Sequence, residues 1–244
     1  RLQYGLPYAQ DKVIGALAEA NPNLAVVIVS GNAVAMPWIG RVPAVLEAWF
    51  SGSEAGNALA DVVFGAVNPS GKLPFTFPVR LEDNSAHALG EYPGGDTVTY
   101  NESIFVGYRW HDLEPLFAFG HGLSYTTFAV GNVKADRTTL ASKGSIRISA
   151  DVTNTGDRAG AEVVQLYIGD EQSSLPRPVK ELKGFRKIAL DPGQTQTVTF
   201  EITPDMLRYY DDAKGAWVAE PGAFTAYVGV ASDDIRGTVG FELK

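Results

Sequence analysis

The sequence predicts an α/β domain with a parallel or mixed sheet, followed by an all-β sandwich of the immunoglobulin-like kind. Two observations carry this prediction. In the first half, helical-period stretches flank the apolar run "NLAVVIVSG", whereas from about Val130 short alternating segments separated by turns replace them. The 244 residues are enough for two domains with full cores. We place the incomplete α/β domain at residues 1–125, and a linker and the sandwich at residues 126–244.

The α/β half contains two predicted helices and two predicted strands. Between Tyr8 and Ala20, apolar residues recur at helical spacing before Asn21-Pro22 stops the pattern. The run "NLAVVIVSG" is continuously apolar and β-branched, which is typical of a strand buried on both faces. The stretch "AVLEAWFSG" repeats this pattern, and "SEAGNALADVVFG" predicts a second helix that ends at Gly65.

The second half contains six short segments that read as strands, namely "SIRISADVT", "AEVVQLYIG", "KELKGFRKIAL", "TQTVTFEIT", "AFTAYVGVA" and "TVGFELK". Turns such as "NTGD", "DPGQ" and "EPG" separate them, as in a β sandwich. Alternation places four apolar residues of the first segment on one face, toward the core: Ile146, Ile148, Ala150 and Val152.

Composition excludes several classes of function. A net charge of −8 argues against nucleic-acid binding, which needs a basic surface. The absence of cysteine excludes disulfides, thiolate zinc sites and cysteine nucleophiles, and it leaves the compartment open, with a periplasmic or secreted location compatible. No apolar run approaches the roughly 18 to 20 residues of a membrane span, so none is expected.

Four stretches together point to a family. They are "NPNLAVVIVSGNAVAMPW", "VLEAWFSGSEAGNALADVVFGAVNPSGKLPFTFP", "ESIFVGYRWHD" and "PLFAFGHGLSYTTF". In this order and spacing, they resemble the successive signatures of the second catalytic-module domain of glycoside hydrolase family 3. The resemblance covers about Leu6 to Phe128, and the β half resembles the fibronectin type III-like domain that follows in many members.

This resemblance implies a retaining β-glucosidase that releases terminal non-reducing β-D-glucosyl residues with two carboxylates roughly 5 to 5.5 Å apart. The family's nucleophile is an aspartate in an "SDW"-like motif on an amino-terminal (β/α)8 barrel, and neither motif nor barrel occurs here. Its acid/base is a glutamate in an "EGxDR"-like loop, and Arg1 fits the arginine that ends this motif. The acid/base would then stand four residues before Arg1.

We therefore expect the carboxy-terminal portion of such an enzyme, inactive alone, with no catalytic residue, metal or cofactor of its own. Its expected partners are a β-glucoside or oligosaccharide substrate and the missing barrel. Two alternatives stay open. One is a β-xylosidase or exo-β-glucanase of the same family, and the other is a non-catalytic carbohydrate-binding module.

The loops that follow the two predicted strands supply the candidate substrate-binding residues. Ligands of open α/β sheets sit beyond the carboxyl ends of the strands. "SGNAV" follows the first strand and "SGSEAG" follows the second, so Asn32, Ser53 and Glu54 could border the cleft. The alternative is that Ser51, Ser53 and Glu54 cap the helix that starts near Ala55.

The stretch "YNESIFVGYRWHD" has a sugar-facing and a structural interpretation. Its aromatic rings could stack on sugars while Arg109 and the carboxylates bind hydroxyls. In the structural alternative, Ile104, Val106, Tyr108 and Trp110 share one strand face toward the core, and Arg109 pairs with an acidic neighbour. His111 and His121, with Asp112, lack a supporting ligand motif, so no metal site is predicted.

Two further features of the second half each have two interpretations. "SSLPRPVKELKGFRKI" is either a loop that packs against the missing barrel or the active-site mouth, or a rigid surface loop. Trp217 with Tyr209 and Tyr210 is either a carbohydrate-binding face or a set of core and edge residues.

The stretch "PLFAFGHGLSYTTF" is predicted to be the junction between the two domains. Phe117, Phe119 and Tyr125 would anchor the end of the α/β domain, and His121 would be a joint residue. Gly120 and Gly122 would permit backbone turns that a Cβ would resist.

Overall fold

The computed structural model describes residues 3–110 and 114–244, which divide into two compact units. The first, called the α/β unit, contains residues 3–67, 76–107 and 114–117. The second, called the sandwich unit, contains residues 68–75, 108–110 and 118–244. The predicted fold class is confirmed. Because the units interleave along the chain, a single boundary after residue 125 stays a prediction of the sequence.

The α/β unit combines short helices with short strands. Its described elements are α1 (Gln10–Ala20), β1 (Ala25–Ile28), β2 (Ala44–Glu47), α2 (Ala55–Val63), β3 (Phe77–Pro78), α3 (Ser85–Ala88) and β4 (Pro115–Phe117). Strand β1 pairs with β2 in parallel, as expected, and β3 pairs with β4 antiparallel. No helix among the described residues is long and apolar enough to cross a membrane.

Helix α1 and strand β1 differ from expectation in one detail each. The helix begins at Gln10 rather than Tyr8, because Tyr8 and Ala9 have positive φ values of 55° and 61°. The prediction that both faces of β1 are buried is wrong, because Val26 and Ile28 are buried while Val27 and Val29 are exposed. The described residues therefore cover only one face of this apolar strand.

The core of the α/β unit lies around Trp38, which is 1% exposed. Its indole Nε1 donates to the Asp11 carboxylate of helix α1 over 2.8 Å, so one partly buried hydrogen bond ties the helix to the segment that follows β1. Phe77, also 1% exposed, packs edge-to-face against Phe117 of β4 at 6.4 Å between ring centroids. The predicted anchoring role of Phe117 in the α/β domain is thus confirmed.

The sandwich unit contains the six predicted strands and four further short ones. They are β5 (Phe128–Ala135), β6 (Thr139–Leu140), β7 (Ile146–Asn154), β8 (Gly160–Asp170), β9 (Glu181–Leu190), β10 (Thr195–Ile202), β11 (Tyr209–Asp211), β12 (Ala216–Val218), β13 (Gly222–Gly229) and β14 (Ile235–Leu243). The sheets have the orders β10-β7-β5 and β6-β14-β13-β8-β9, and β11 pairs with β12. The predicted core face of β7 is confirmed, since the four residues assigned to it are buried, namely Ile146, Ile148, Ala150 and Val152.

Polypeptide that precedes residue 126 packs onto strand β8 within the sandwich unit. Leu73 N donates to His121 O over 2.8 Å, and Gly120 N donates back to Leu73 O over 2.9 Å. Ser232 N donates to Phe119 O, and Gly120 lies against Gln165 of β8. The prediction that Phe119 and Tyr125 anchor the α/β domain is wrong, because both belong to the sandwich unit.

Candidate functional site

The carboxyl ends of the parallel strands β1 and β2 lie side by side in the α/β unit. Ile28 is the register partner of Glu47, so the two following loops leave the sheet at the same edge. Ser30 links them, since its hydroxyl donates to Asn32 O over 2.7 Å and to Glu47 Oε1 over 3.4 Å. This edge is where an open α/β sheet presents groups to a ligand.

Glu47 is the titratable group at this edge that the sequence analysis did not select. Its Oε1 accepts the backbone N–H of Trp49 over 3.2 Å, whereas its buried Oε2 has no hydrogen-bond partner among the described residues. Burial raises the pKa of the Glu47 carboxyl. A carboxyl with a raised pKa at a strand end is a functional candidate. The available signal was a lone acid in the apolar strand "AVLEAWF".

Trp49 holds a strained backbone conformation beside Glu47. Its φ of 50° lies in the left-handed region, which a bulky residue adopts only when its surroundings impose it. The N–H bond to Glu47 and the edge-to-face packing of Trp49 on Phe77, at 6.1 Å between ring centroids, are two such contacts. The carboxylate therefore shapes the turn after β2.

A cleft of about 370 Å³ opens beside this turn. Val29, Trp49, Phe50 and Leu59 contribute to its apolar wall, and residues 51 and 52 also line it. The cleft belongs to the α/β unit, and the three predicted substrate-binding residues do not line it.

Those three residues occupy the loops in which the sequence placed them. Asn32 is exposed after β1, and its Oδ1 accepts the Ala33 N–H over 3.2 Å. Ser53 and Glu54 are exposed in the 3-10 turn Gly52–Glu54 that precedes α2. No hydrogen bond joins Asn32 to either of them in the described part of the chain, so their shared role in substrate binding stays a prediction.

The alternative in which these side chains cap helix α2 is wrong. Helix α2 has no side-chain cap, and Glu54 instead accepts from the Asn57 side chain over 2.6 Å. Ser51 Oγ donates to Ala48 O, away from the helix. The reason is conformational, because Glu54 has φ −92° and ψ 9° and lacks the extended backbone from which a capping side chain reaches the helix N–H groups.

Tyr108 has a packing role, although the stretch that contains it is not a strand. Residues Gly107–Arg109 form a 3-10 turn, and both Ile104 and Val106 are exposed, so the predicted alternation is wrong. Within the sandwich unit, Tyr108 stacks on Phe119 at 4.9 Å and accepts the Leu182 N–H over 2.9 Å. Arg109 lies over the Tyr108 ring, 5.7 Å from its centroid.

Arg1, from which the acid/base position was predicted, lies outside the described residues. The same holds for His111 and Asp112, which were considered as metal ligands. In the residues that the structure does describe, no group of three or more histidine, aspartate or glutamate side chains could hold a metal ion. Burial lowers the pKa of His121, where it overrides the opposing charges of Asp233 and Asp234. His121 also fits the predicted role of a joint residue, since its backbone carbonyl accepts the N–H of Leu73.

The proline-rich loop before β9 is held by a buried arginine in the sandwich unit. Arg177 forms ion pairs of 3.0 Å with both Asp170 and Glu181, and it donates to Leu207 O over 3.0 Å. Burial acts to raise the pKa of Glu181, but the hydrogen bond and charge of Lys183, together with Arg177, outweigh burial and lower it. This network supports the rigid-loop alternative; packing against a barrel stays a prediction.

Comparison with family models gives two matches. Residues 1–125 match the model described as "Glycosyl hydrolase family 3 C-terminal domain", and residues 162–232 match "Fibronectin type III-like domain".

Similar curated proteins are larger β-glucosidases. Beta-glucosidase BoGH3A of Bacteroides ovatus is 53% identical over 99% of this chain, and thermostable beta-glucosidase B of Acetivibrio thermocellus is 46% identical over 96%. The chain spans 33% and 31% of these proteins, respectively, so it corresponds to about a third of their length.

Solved structures give the same result. The chain is similar to DesR, a beta-glucosidase from Streptomyces venezuelae in complex with D-glucose, with a TM-score of 0.94 and 39% identity, covering 100% of this chain and 32% of that one. A beta-glucosidase from Kluyveromyces marxianus in complex with glucose aligns with a TM-score of 0.92 and 40% identity, covering 100% and 29%.

Proposed function

Because this chain belongs to glycosyl hydrolase family 3, we propose that it is the carboxy-terminal portion of a retaining β-glucosidase that hydrolyses terminal non-reducing β-D-glucosyl residues. The observation that carries this proposal is the similarity to proteins named β-glucosidases along nearly the whole chain. The identity of 53% to one of them supports a shared substrate class.

The proposed reaction uses two carboxylates outside these 244 residues. An aspartate on the barrel attacks the anomeric carbon and forms a glycosyl-enzyme ester while a glutamate protonates the departing oxygen. Water then hydrolyses the ester with the same glutamate as base, and the β configuration is retained. We place this glutamate four residues before Arg1, as the resemblance implies. The greater length of the relatives is consistent with a barrel on the same polypeptide.

In this reaction, the chain would contribute the edge of the α/β unit at which the carboxyl ends of β1 and β2 lie. We propose that Asn32, Ser53 and Glu54 border the substrate-binding cleft of the whole enzyme, which is not the 370 Å³ cleft described above, because all three are exposed in loops that follow β1 or β2. Glu47 would act behind them by holding Trp49 in its positive-φ turn. Hydrogen bonds from such loops to sugar hydroxyls would orient the terminal glucose.

The decisive experiment follows the anomer that the parent enzyme releases first from an aryl β-glucoside. Proton NMR should show β-glucose before mutarotation, whereas initial α-glucose would exclude the retaining mechanism. Faster hydrolysis of the matching aryl β-xyloside would favour a β-xylosidase. Residues 1–244 alone should show no hydrolysis above a blank.

A further inference from the structure

The hairpin formed by β11 and β12 presents two large aromatic side chains to solvent. Tyr210 and Trp217 are direct cross-strand partners, with ring centroids 5.6 Å apart and planes at 69°. Their exposed fractions are 48% and 64%, so neither ring belongs to the core of the sandwich unit. A pair of exposed aromatic rings is costly to hydrate and is typical of a binding surface.

The hairpin holds these rings on a rigid frame. Asp211 accepts the N–H groups of Ala213 and Lys214 over 3.1 and 3.3 Å and forms a 2.8 Å ion pair with Lys214 Nζ. Next to Tyr210 in β11, the ring centroid of Tyr209 lies 5.5 Å from the guanidinium carbon of Arg177. The rings are therefore positioned before any ligand arrives, which lowers the entropy cost of binding.

Charged side chains lie next to strand β11 in the chain, and the two cations among them are paired. Arg208 precedes β11 and Asp212 follows it. Arg208 pairs with Asp205 over 2.9 Å, and Lys214 pairs with Asp211. Because both cations are paired with carboxylates and the chain has a net charge of −8, this surface does not favour an anionic ligand and suits a neutral, hydroxyl-rich one.

We propose that Tyr210 and Trp217 bind a glucosyl unit of a β-glucan chain. A β-glucopyranose ring has apolar C–H faces and equatorial hydroxyls, so one aromatic ring can stack under the sugar while the other lies along its edge. The choice of glucan rests on the proposed function, whereas the stacking geometry does not.

The test is native gel electrophoresis of the parent enzyme in gels with and without soluble mixed-linkage β-glucan. We expect Trp217→Ala to weaken retardation about fivefold or more, since aromatic stacking is worth about 1 kcal/mol. Tyr210→Ala should have a smaller effect, and Trp217→Phe should keep part of the retardation. Phe185→Ala removes another exposed aromatic ring of the sandwich unit and is the matched control.

Two results would overturn the proposal. The first is unchanged retardation of Trp217→Ala. The second is a loss of retardation with a fall in thermal midpoint as large as that of Leu207→Ala, a buried control, because Trp217 would then be a packing residue. Hydrolysis of an aryl β-glucoside is measured in parallel. Its absence in the unmodified enzyme would contradict the proposed function, while glucan retardation would still report on the aromatic pair.

Discussion

Gly120 lies so close to Gln165 that a Cβ on the glycine would come within 3.0 Å of the glutamine amide. Gly120 is buried with a φ of 83°, and Gln165 Nε2 donates to Gly120 O over 3.3 Å and to Val230 O over 2.7 Å. Gln165 also accepts from the Tyr167 hydroxyl. One glycine and one amide therefore fix polypeptide 118–120 on the outer face of strand β8.

We expect Gly120→Ala to destabilise the sandwich unit by about 2 kcal/mol or more. The alanine would combine a disfavoured positive φ with a clash against the buried amide. The thermal midpoint of the parent enzyme measures the effect. Gly131→Ala is the control, because Gly131 lies in β5 with nothing within 4 Å of an added Cβ. Equal midpoints for the two variants would contradict this account.

Arg177→Met should destabilise the protein by about 3 to 5 kcal/mol, because it leaves the Asp170 carboxylate buried without its ion-pair partner. The side chains of Arg177 and Asp170 are only 6% and 4% exposed. Urea unfolding monitored by circular dichroism tests this. Arg137→Met breaks the exposed pair with Asp136 and should change stability by less than about 1 kcal/mol. A similar loss in both variants would show that burial of the pair is not what matters.

His121 should make the protein less stable in mild acid. Burial lowers its folded-state pKa below the usual value near 6.5, so the unfolded chain binds the proton more readily. The stability contributed by neutral His121 is complete above the unfolded pKa and is lost as the pH falls toward the folded pKa.

Thermal midpoints at pH 8 and pH 5.5 would test this sign. The decrease should be smaller in His121→Gln, which cannot take up a proton. An equal decrease in both proteins would mean that other groups cause the acid sensitivity.

Glu47→Ala should disturb the turn after β2, whereas Glu47→Gln should preserve it. Glutamine keeps an oxygen that accepts the Trp49 N–H and removes the cost of burying a charge, while alanine leaves that N–H without its acceptor, a loss of about 1 to 2 kcal/mol. The raised pKa of Glu47 agrees with this expectation, because the folded protein holds the proton more tightly than the unfolded chain does. The stability that this carboxyl contributes is present below the unfolded pKa and is lost as the pH rises through the folded pKa. Thermal midpoints at pH 7 compare the variants, and equal losses would contradict the hydrogen-bond account.

Asn32→Ala should lower kcat/KM of the parent enzyme for aryl β-glucosides about threefold to tenfold, the effect of one lost hydrogen bond to a sugar hydroxyl. Asn23→Ala is the matched control, because Asn23 is an exposed asparagine near the other end of β1. Unchanged kinetics in Asn32→Ala would remove this residue from the proposed cleft. The same comparison applies to Ser53→Ala and Glu54→Gln.

The sequence by itself determined the fold class, with a parallel or mixed sheet in the first half, and the buried face of β7. These features follow from local patterns, since strand alternation, helical spacing and turn residues act over a few neighbouring residues. The motifs also indicated the family. The candidate loops of Asn32, Ser53 and Glu54 could be located because they directly follow strands.

Only the tertiary structure decided how distant segments combine. Three examples are the packing of Tyr108 and of Gly120 within the sandwich unit and the hydrogen bond from Ser30 to Glu47. They depend on contacts between residues 17 to 74 positions apart. Such contacts leave no periodic pattern in the chain. A residue's burial and hydrogen-bond partners are set by what the fold brings against it, and for these residues that information lies outside their own sequence neighbourhood.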